Sequence, residues 1–360
     1  MKIALLHNLY GKYSRGGAET AVKLMAENFQ AAGHQVFIIT TRPRRAQAAD
    51  ALPIHEEAGK KIYYLKSEFY HLNRHSGFYR AAWQIGNFFA FRKAKKIKQI
   101  LTSEKPDLAV THNLMGLGWL TPLILKKLKI RHEHFLHDIQ LLHPSGLIIF
   151  GQEQKINYWA AKIYQALTRG LFSAAAKVIS PSRWLLEMHK QRGFFKDSEQ
   201  ETRPFSWPGK QNAGKADIGP IKNFLFIGQI EKQKGILLLI ETFKKIDEAD
   251  LTLTVAIRGG GQGLERAKKI SQDDGRIKLL GPLSYEETEK IMADSDCLIV
   301  PSLCYENSPT VIYGAHAAGL PVIAARLGGI PEIMASGDAM FSPGDQNDLR
   351  EKILALAHNR

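Results

Sequence analysis

Cysteine is nearly absent from this chain of 360 residues, which contains only Cys297 and Cys304. One lies in a predicted strand and the other in the loop beyond it, so the sequence offers neither a disulfide framework nor a zinc quartet. It also lacks any run of about 18 apolar residues, which argues against a membrane-spanning helix. The apolar N-terminal stretch turns polar at Asn8 and is typical of a first strand rather than a signal peptide. We therefore expect a cytoplasmic protein.

Acidic residues are scarce in the first part of the chain. Residues 1–203 carry 31 Lys and Arg against 15 Asp and Glu, a net charge of +16, whereas the remainder holds 18 against 20, a net −2. This excess predicts an anionic partner for the first half: a phospholipid surface, a phosphorylated acceptor or nucleic acid. A basic face that merely contacts solvent is the alternative. Nucleic acid is disfavoured, because no recognised RNA- or DNA-binding module accompanies the charge.

Apolar strands alternate with amphipathic helical stretches along the whole chain, which is typical of parallel βαβ units. The candidate strands of the first half are Lys2–Asn8, Gln35–Thr41, Lys61–Leu65, Leu108–Asn113, Ile130–His137 and Lys177–Ser180. Those of the second half are Asn223–Gly228, Leu251–Ile257, Ile277–Leu279, Cys297–Val300 and Val322–Ala324.

The stretch between these two sets, Gly193–Pro220, is rich in proline, glycine and charge and therefore predicts a domain boundary. We predict an N-terminal domain of residues 1–200, a linker of residues 201–221 and a C-terminal domain of residues 222–360. Each domain is expected to be a doubly wound, Rossmann-like parallel sheet, and the two are expected to face a central cleft.

The segment Val300–Glu332 combines a buried strand, an acidic loop, a helix, a second strand and a glycine turn. Glu306 follows the first strand at its carboxyl end, where open α/β sheets bind ligands. We predict Ser308 as a helix N-cap and Pro309 as the first helical residue, so that backbone N–H groups favour an anion such as a diphosphate. The turn at Leu327–Glu332 predicts a second helix start nearby. The predicted binding segment comprises Asn307, Ser308, Pro309 and Thr310.

Two further loops have the composition of ligand-binding turns. Gly16 and Gly17 open the first helix, where the backbone can approach a ligand closely, although a bare glycine turn is the alternative. Lys234 lies in the loop after Asn223–Gly228 and offers a positive charge to an anionic ligand such as a phosphate. An exposed loop lysine is the alternative there.

Four histidines between residues 131 and 146 raise the question of a metal site. Strand alternation places His132 and His134 on one face and His137 on the other, and no cysteine is near, so a metal site is disfavoured. His137 ends the predicted strand, where ligand-facing residues collect, and a histidine that simply contacts solvent is the alternative. Asp294 and Asp296 form an acid-x-acid motif of the kind that can bind a metal ion. They lie at a helix–strand boundary, where two acidic residues are commonplace, so a metal site is disfavoured there as well.

Together these motifs resemble those of the family 4 glycosyltransferases, which are retaining enzymes of the GT-B fold. The matches are GGAE at residues 16–19, the His137-Asp138 segment, Lys234-Gly235 and the acidic loop at Glu306. The resemblance implies that Glu306 holds donor sugar hydroxyls, Lys234 the diphosphate, and His137 the flank of the reacting sugar. It also implies that Gly16, Gly17 and Glu19 line the cleft near the phosphates and the acceptor.

The activity implied by this resemblance is transfer of a sugar from a UDP- or GDP-sugar to a hydroxyl of a cell-envelope glycan or lipid-linked acceptor. Retention of configuration and the absence of metal and cofactor are implied as well. Two positions depart from the family: Gly314 stands in place of its second Glu, and Gln229 in place of its Arg. They motivate the alternative of a catalytically weakened, membrane-associated GT-B scaffold. An epimerase or phosphorylase of the same architecture lacks matching motifs.

The helix candidate Gly77–Thr102 combines aromatic and basic residues. Its aromatic residues from Tyr79 to Phe91 are followed by five cations between Arg92 and Lys98, a combination that suits an interfacial helix on anionic lipid. This segment therefore offers two alternatives, peripheral attachment at the inner membrane face and core packing of the aromatic residues. Members of the family usually continue with helices that cross back to the first domain, whereas this sequence ends at Arg360 after the helix candidate Asp348–His358, which leaves truncation open as an alternative.

Overall fold

The computed structural model describes residues 1–14, 16–44, 54–205, 220–257 and 263–358. Residues 206–219 of the predicted linker lie outside them, so the linker stays a prediction. The chain forms two compact units. The N-terminal unit comprises Met1–Leu147 and Gln154–Arg203, and the C-terminal unit comprises Ile148–Glu153 and Pro204–Arg360.

The N-terminal unit is built on a sheet of eight strands within the described residues, in the order β3-β4-β2-β1-β5-β6-β7-β8. Its strands are β1 (Lys2–Leu6), β2 (Gln35–Pro43), β3 (Ile54–Glu57), β4 (Lys60–Ser67), β5 (Leu108–Thr111), β6 (Arg131–Phe135), β7 (Lys177–Ser180) and β8 (Glu199–Thr202). All neighbours pair in parallel except β3, which is antiparallel to β4. The central strand β1 has Leu5 between Ile38 and Val110, and all three are fully buried.

Helices cross between these strands, as parallel pairing requires. They are α1 (Gly17–Ala31), α2 (Gly77–Phe88), α3 (Phe91–Glu104), α4 (Thr121–Lys127), α5 (Trp159–Phe172) and α6 (Arg183–Lys190). Local sequence explains several starts. Ser182 caps α6 by accepting a hydrogen bond from the N–H of Leu185 at 3.2 Å.

The C-terminal unit has a six-stranded parallel sheet in the described residues, ordered β11-β10-β9-β12-β13-β14. Its strands are β9 (Asn223–Gly228), β10 (Thr252–Ile257), β11 (Ile277–Pro282), β12 (Cys297–Val300), β13 (Val322–Ala325) and β14 (Ala339–Phe341). Its helices are α7 (Ile236–Lys244), α8 (Leu264–Ser271), α9 (Tyr285–Ala293), α10 (Thr310–Ala317) and α11 (Gln346–His358). Apolar clusters cover both faces of this sheet, as a doubly wound parallel sheet requires. The prediction of two Rossmann-like α/β domains is confirmed.

The short segment Ile148–Glu153 belongs to the C-terminal unit although it lies inside the N-terminal half of the sequence. It runs beside the loop that precedes Glu306. The N–H of Tyr305 donates to the carbonyl of Ile148 at 2.9 Å, and the N–H of Phe150 donates to the carbonyl of Leu303 at 2.9 Å. The Tyr305 hydroxyl also donates to Glu153 Oε1 at 2.9 Å. The chain therefore passes between the units three times, at residues 147/148, 153/154 and 203/204.

Several predicted elements differ in the structure. The single helix predicted at Gly77–Thr102 is wrong: α2 ends at Phe88 and α3 begins at Phe91, because the N–H of Phe91 turns back to the carbonyl of Phe89 at 2.7 Å. Strands β3, β8 and β14 were not predicted, and β8 lies within the stretch assigned to the boundary. No helix among the described residues is long and apolar enough to cross a membrane.

Candidate active site

Glu306 and Lys234 form an ion pair in the C-terminal unit. Glu306 lies in the loop after β12, Lys234 lies in the loop after β9, and their Oε1 and Nζ atoms are 2.6 Å apart. The same carboxylate oxygen accepts a hydrogen bond from the Ser302 hydroxyl at 3.0 Å, and the Cys304 thiol lies 3.7 Å away. Strands β9 and β12 are neighbours in the sheet, so their carboxyl ends bring the two loops together.

Two glycines allow these loops to approach each other. A Cβ atom on Gly235, next to Lys234, would lie 1.7 Å from the carbonyl oxygen of Pro301. A Cβ atom on Gly328 would lie 2.2 Å from the carbonyl oxygen of Glu306, and both glycines have φ near +70°. Only glycine fits such backbone approaches without strain. The N–H of Gly329 then donates to the Glu306 carbonyl at 2.8 Å, which fixes the backbone of the acidic residue.

The two charges of this pair stabilise each other. Burial opposes ionisation of Glu306, but Lys234 and the Ser302 hydroxyl outweigh it and hold the pKa of Glu306 below its usual value. Burial likewise opposes protonation of Lys234, but the Glu306 carboxylate outweighs it and raises the pKa of Lys234. Both side chains are therefore charged at neutral pH. The arrangement can neutralise an added anion with the ammonium group and accept hydroxyl hydrogen bonds with the carboxylate.

The structure corrects both helix starts predicted in this region. Ser308 does not cap α10: the N-cap is Pro309, in an extended conformation, and the helix begins at Thr310. The Ser308 hydroxyl is instead 2.8 Å from the hydroxyl of Tyr313, which competes for the same oxygen. The helix predicted after Gly329 is a single 3-10 turn, Ile330–Glu332. The carboxylate of Asp338 accepts the N–H of Ala335 at 2.7 Å and closes the loop instead.

The other predicted residues of this unit lie near the ion pair in sequence but differ in burial. Gln229 directly follows β9 and is partly exposed, Asn307 is buried beside Glu306 along the chain, and Gly314 is buried in α10. Asp296, of the acid-x-acid pair, accepts backbone N–H groups from Lys222 and Asn223 at 3.1 and 2.8 Å. That aspartate therefore supports the start of β9. Among the described residues, no group of three or more His, Cys, Asp or Glu side chains is arranged to hold a metal ion.

The N-terminal unit contains a second polar cluster, around His137. Glu19 is buried in the first turn of α1, where its Oε2 accepts the N–H of Gly16 at 2.7 Å and its Oε1 lies 3.7 Å from His7 Nε2. Burial raises the pKa of Glu19, but His7 and the N–H donors outweigh it and lower the pKa to about 2. Gly16 is the N-cap of α1 and Gly17 its first residue.

His137 itself contacts two other histidines. Its Nε2 is 2.8 Å from His112 Nδ1, and its ring centroid is 5.6 Å from that of His7. Burial, reinforced by His7, lowers the pKa of His137 to about 3, so the ring is neutral at physiological pH. His132 and His134 lie in a separate cluster, where both contact the Thr111 hydroxyl, at 2.7 and 2.9 Å. The predicted strand Ile130–His137 is shorter in the structure: β6 ends at Phe135, so His137 lies two residues beyond it.

Comparison with known proteins gives the family. The sequence model described as Glycosyltransferase Family 4 matches residues 15–198, and the model described as Glycosyl transferases group 1 matches residues 221–359. This chain belongs to glycosyltransferase family 4. Its relatives include an uncharacterized 42.6 kDa protein in the cps region of Klebsiella pneumoniae, 26% identical over 344 residues, which cover 92% of this chain and 87% of that protein.

Solved structures agree on the GT-B fold of this glycosyltransferase. HepE from Anabaena, in complex with UDP and glucose, aligns with a TM-score of 0.71 at 17% identity, covering 100% of this chain and 90% of that one. Sucrose-phosphate synthase from Thermosynechococcus elongatus aligns with a TM-score of 0.72 at 19% identity, covering 99% and 90%. At these identities the likeness shows the fold alone.

The structure brings three polar residues together around His137: Asp138, which belongs to the matched His137-Asp138 segment, and His7 and His112, which were not predicted from the sequence. His7, His112 and Asp138 each follow directly, or within a few residues, a strand of the adjacent set β1, β5 and β6. Asp138 accepts hydrogen bonds from Asn113 Nδ2 at 2.8 Å and from the Gln140 N–H at 2.7 Å, and burial raises its pKa to about 6. The signal was present as a repeat: His-Asn, His-Asn and His-Asp follow the three strands in turn.

Hydrogen-bond geometry assigns the tautomer of His137. His112 Nε2 is buried and has no hydrogen-bond partner within the described part of the chain. Orphaned buried N–H groups are rarer than under-satisfied acceptors, so the single proton of His112 belongs on Nδ1, where it is donated to His137 Nε2. The proton of neutral His137 then lies on Nδ1. His112 thus fixes the orientation of the His137 ring.

We expect His112→Phe to lower kcat about 5- to 10-fold, because it removes one hydrogen bond worth about 1 kcal/mol while keeping a ring in the buried position. His112→Asn should recover most of that loss, since its side-chain amide can donate from the place of Nδ1. Nitrogen chemical shifts of the His137 ring should report the altered tautomer in the Phe variant. Equal activity losses in the Phe and Asn variants would contradict this role.

Proposed function

We propose that this glycosyltransferase transfers a sugar from a nucleoside diphosphate sugar to a hydroxyl of a glycan or lipid-linked acceptor, with retention of configuration. The observation that carries the proposal is the ion pair of Lys234 and Glu306 at the carboxyl ends of β9 and β12. It places a cation and a hydroxyl-binding carboxylate within one small site. Anabaena HepE, which was solved in complex with UDP and glucose, supports a UDP-sugar donor, and GDP is the other candidate.

In the proposed reaction, the bond between the sugar C1 and the diphosphate oxygen breaks while the acceptor oxygen attacks C1 from the same face. The proton of the acceptor hydroxyl passes to the leaving phosphate oxygen, which balances the step. Lys234 neutralises the charge that develops on the diphosphate, a role that a resident metal ion fills in other transferases. Glu306 holds hydroxyls of the donor sugar, and neutral His137 serves as a hydrogen-bonding group for the reacting sugar.

A glycan acceptor is supported by the name of the Klebsiella relative, which places it in a cps region. The rival proposal is a GT-B scaffold of weakened activity. It is favoured by Gly314 and Gln229, which lack the carboxylate and the positive charge of the family pattern. The ion pair favours the enzyme. Burial of the charged Lys234 and Glu306 side chains costs desolvation free energy, and a scaffold without activity would not require these two charges.

Turnover with UDP- and GDP-sugars separates the two proposals. The purified protein is screened for stabilisation by each nucleotide sugar, because a ligand that binds the native state raises the melting temperature by mass action. Released nucleotide and the anomeric configuration of the product are then measured by NMR, with and without a metal chelator. We expect the product to retain the anomeric configuration of the donor sugar, and we expect the chelator to leave turnover unchanged. Nucleotide binding without turnover would favour the scaffold, and an inverted product would overturn the proposed mechanism.

A further inference from the structure

Helix α2 directs a stripe of apolar side chains into solvent. Phe78 is 87% exposed, Ile85 64% and Phe89 63%. Their spacing of seven and four residues places them on one side of the helix. Single exposed apolar residues are ordinary on protein surfaces, but an apolar helical stripe that faces outward marks an interaction surface.

The inward side of α2 is anchored by other residues. The Phe88 ring lies 5.8 Å from the ring of Trp119 and 5.5 Å from that of Tyr164 on α5, centroid to centroid. Asn87 Oδ1 accepts the N–H of Gly116 at 3.2 Å. Core packing, the alternative weighed for this segment, therefore accounts for the inward side of the helix alone. The inward aromatic residues pack in the core, whereas the outward stripe has no packing role in the unit.

Helix α3 continues the apolar stripe and adds positive charge. Phe91 at its start is 66% exposed. From Gly77 to Glu104 the chain contains six basic residues and one acidic residue, Glu104, which is itself buried and paired with Lys2 and Lys61. The exposed cations of α3 are Arg92, Lys95, Lys96 and Lys98.

The remaining cation of α3, Lys93, differs from these four. Its Nζ donates to the carbonyl of Gly116 at 2.5 Å and to the Ser67 hydroxyl at 3.2 Å. Lys93 therefore ties α3 to the sheet, while the four exposed cations stay beside the apolar stripe. No acidic side chain of these two helices faces solvent to offset them, because Glu104 is buried.

We propose that the α2–α3 surface, formed by Phe78, Ile85, Phe89 and Phe91 with the four exposed cations of α3, docks on an anionic phospholipid bilayer. Apolar and aromatic side chains insert into the region between headgroups and acyl chains, and nearby Lys and Arg side chains pair with lipid phosphates. The charge complementarity selects a bilayer over a neutral protein partner. This inference concerns attachment and does not depend on the proposed transfer reaction.

Co-sedimentation with vesicles tests the proposal without any sugar donor. We expect the full chain to bind phosphatidylcholine vesicles that contain phosphatidylglycerol at least about tenfold more tightly than phosphatidylcholine alone, and to be released by high salt. Phe89→Ser/Phe91→Ser should abolish binding. Arg92→Gln/Lys96→Gln should weaken it and reduce its salt dependence. The matched control, Lys23→Gln/Lys268→Gln, removes two exposed cations elsewhere and should bind as the parent does.

Melting temperatures of all variants show whether each one folds, and light scattering reports their oligomeric state. Equal binding to neutral and anionic vesicles would overturn the proposal. So would an equal loss of binding in the control and in the Arg92→Gln/Lys96→Gln variant. If the parent chain does not bind vesicles but forms a dimer that Phe89→Ser/Phe91→Ser dissociates, the surface joins two copies of the chain and the bilayer assignment is wrong.

Discussion

Lys234→Ala should lower kcat about 100-fold or more while the fold survives. A group that neutralises charge developing on the leaving diphosphate typically contributes about 3 kcal/mol to transition-state stabilisation. Gln229, at the place of the family's Arg, can donate a hydrogen bond but brings no charge to compensate. The substitution also leaves the Glu306 carboxylate without its cation, so the pKa of Glu306 should rise. Steady-state kinetics on the purified variant measure the loss.

The matched control for this substitution is Lys232→Ala, because Lys232 lies in the same 3-10 turn but is exposed. Lys232→Ala also removes one positive charge, two residues from Lys234, and this variant should keep nearly full activity. Circular dichroism and melting temperature establish that both variants are folded. If Lys234→Ala and Lys232→Ala have the same kcat, Lys234 does not act on the leaving group.

The folded protein should lose stability steeply as the pH falls from about 6.5 to about 4. Burial lowers the pKa of His132 and of His189 to about 4, and it lowers those of His112 and His134 well below the usual value. In the unfolded chain these rings bind protons near pH 6.5. The unfolded state therefore holds more protons throughout this interval, and acid favours unfolding.

The size of the effect follows from the same shifts. His132 and His189 should each contribute up to about 3 kcal/mol, although interacting sites do not add simply. Asp138 acts in the opposite direction, because burial raises its pKa to about 6 and the folded state takes up its proton first. Because several buried histidines destabilise the folded state in acid and Asp138 alone among these groups opposes them, we expect a net loss of stability in acid.

Urea unfolding at a series of pH values measures this dependence. His132→Gln should reduce its slope, because the amide can replace the ring nitrogen that contacts Thr111 but cannot titrate. His55→Gln, at an exposed position of β3, serves as the control and should leave the slope unchanged. A free energy of unfolding that stays constant between pH 6.5 and 4.5 would contradict the prediction.

The buried strands could be predicted because their side chains are mostly apolar, and runs of apolar residues are visible in the sequence. Strands β7, β9 and β12 have the predicted bounds, and each is an apolar run bounded by polar or turn residues. The missed strands β3 and β8 carry mostly exposed side chains. They exist because β4 and β7 offer unpaired edges for hydrogen bonding, and such pairing leaves no hydrophobic pattern in the sequence.

The candidate site was predictable in part. The position of Glu306 after a buried strand and of Lys234 before a helix could be inferred from the sequence, but their contact depends on β9 and β12 being neighbours in the sheet. The prediction of Ser308 as the N-cap was wrong because the Ser308 hydroxyl forms a hydrogen bond with the hydroxyl of Tyr313, five residues along the chain. The role of His112 depends on a hydrogen bond across 25 residues of sequence, which no local pattern contains.

The placement of Ile148–Glu153 constrains how this chain can be recombined with a homologue. A chimaera that joins the N-terminal half of one parent to the C-terminal half of another at the linker would carry this segment from the wrong parent. The backbone of Leu303 and Tyr305, just before Glu306, would then pair with a segment from the other parent. Transfer of an intact C-terminal unit into a homologue therefore requires two grafts, residues 148–153 together with everything after residue 203.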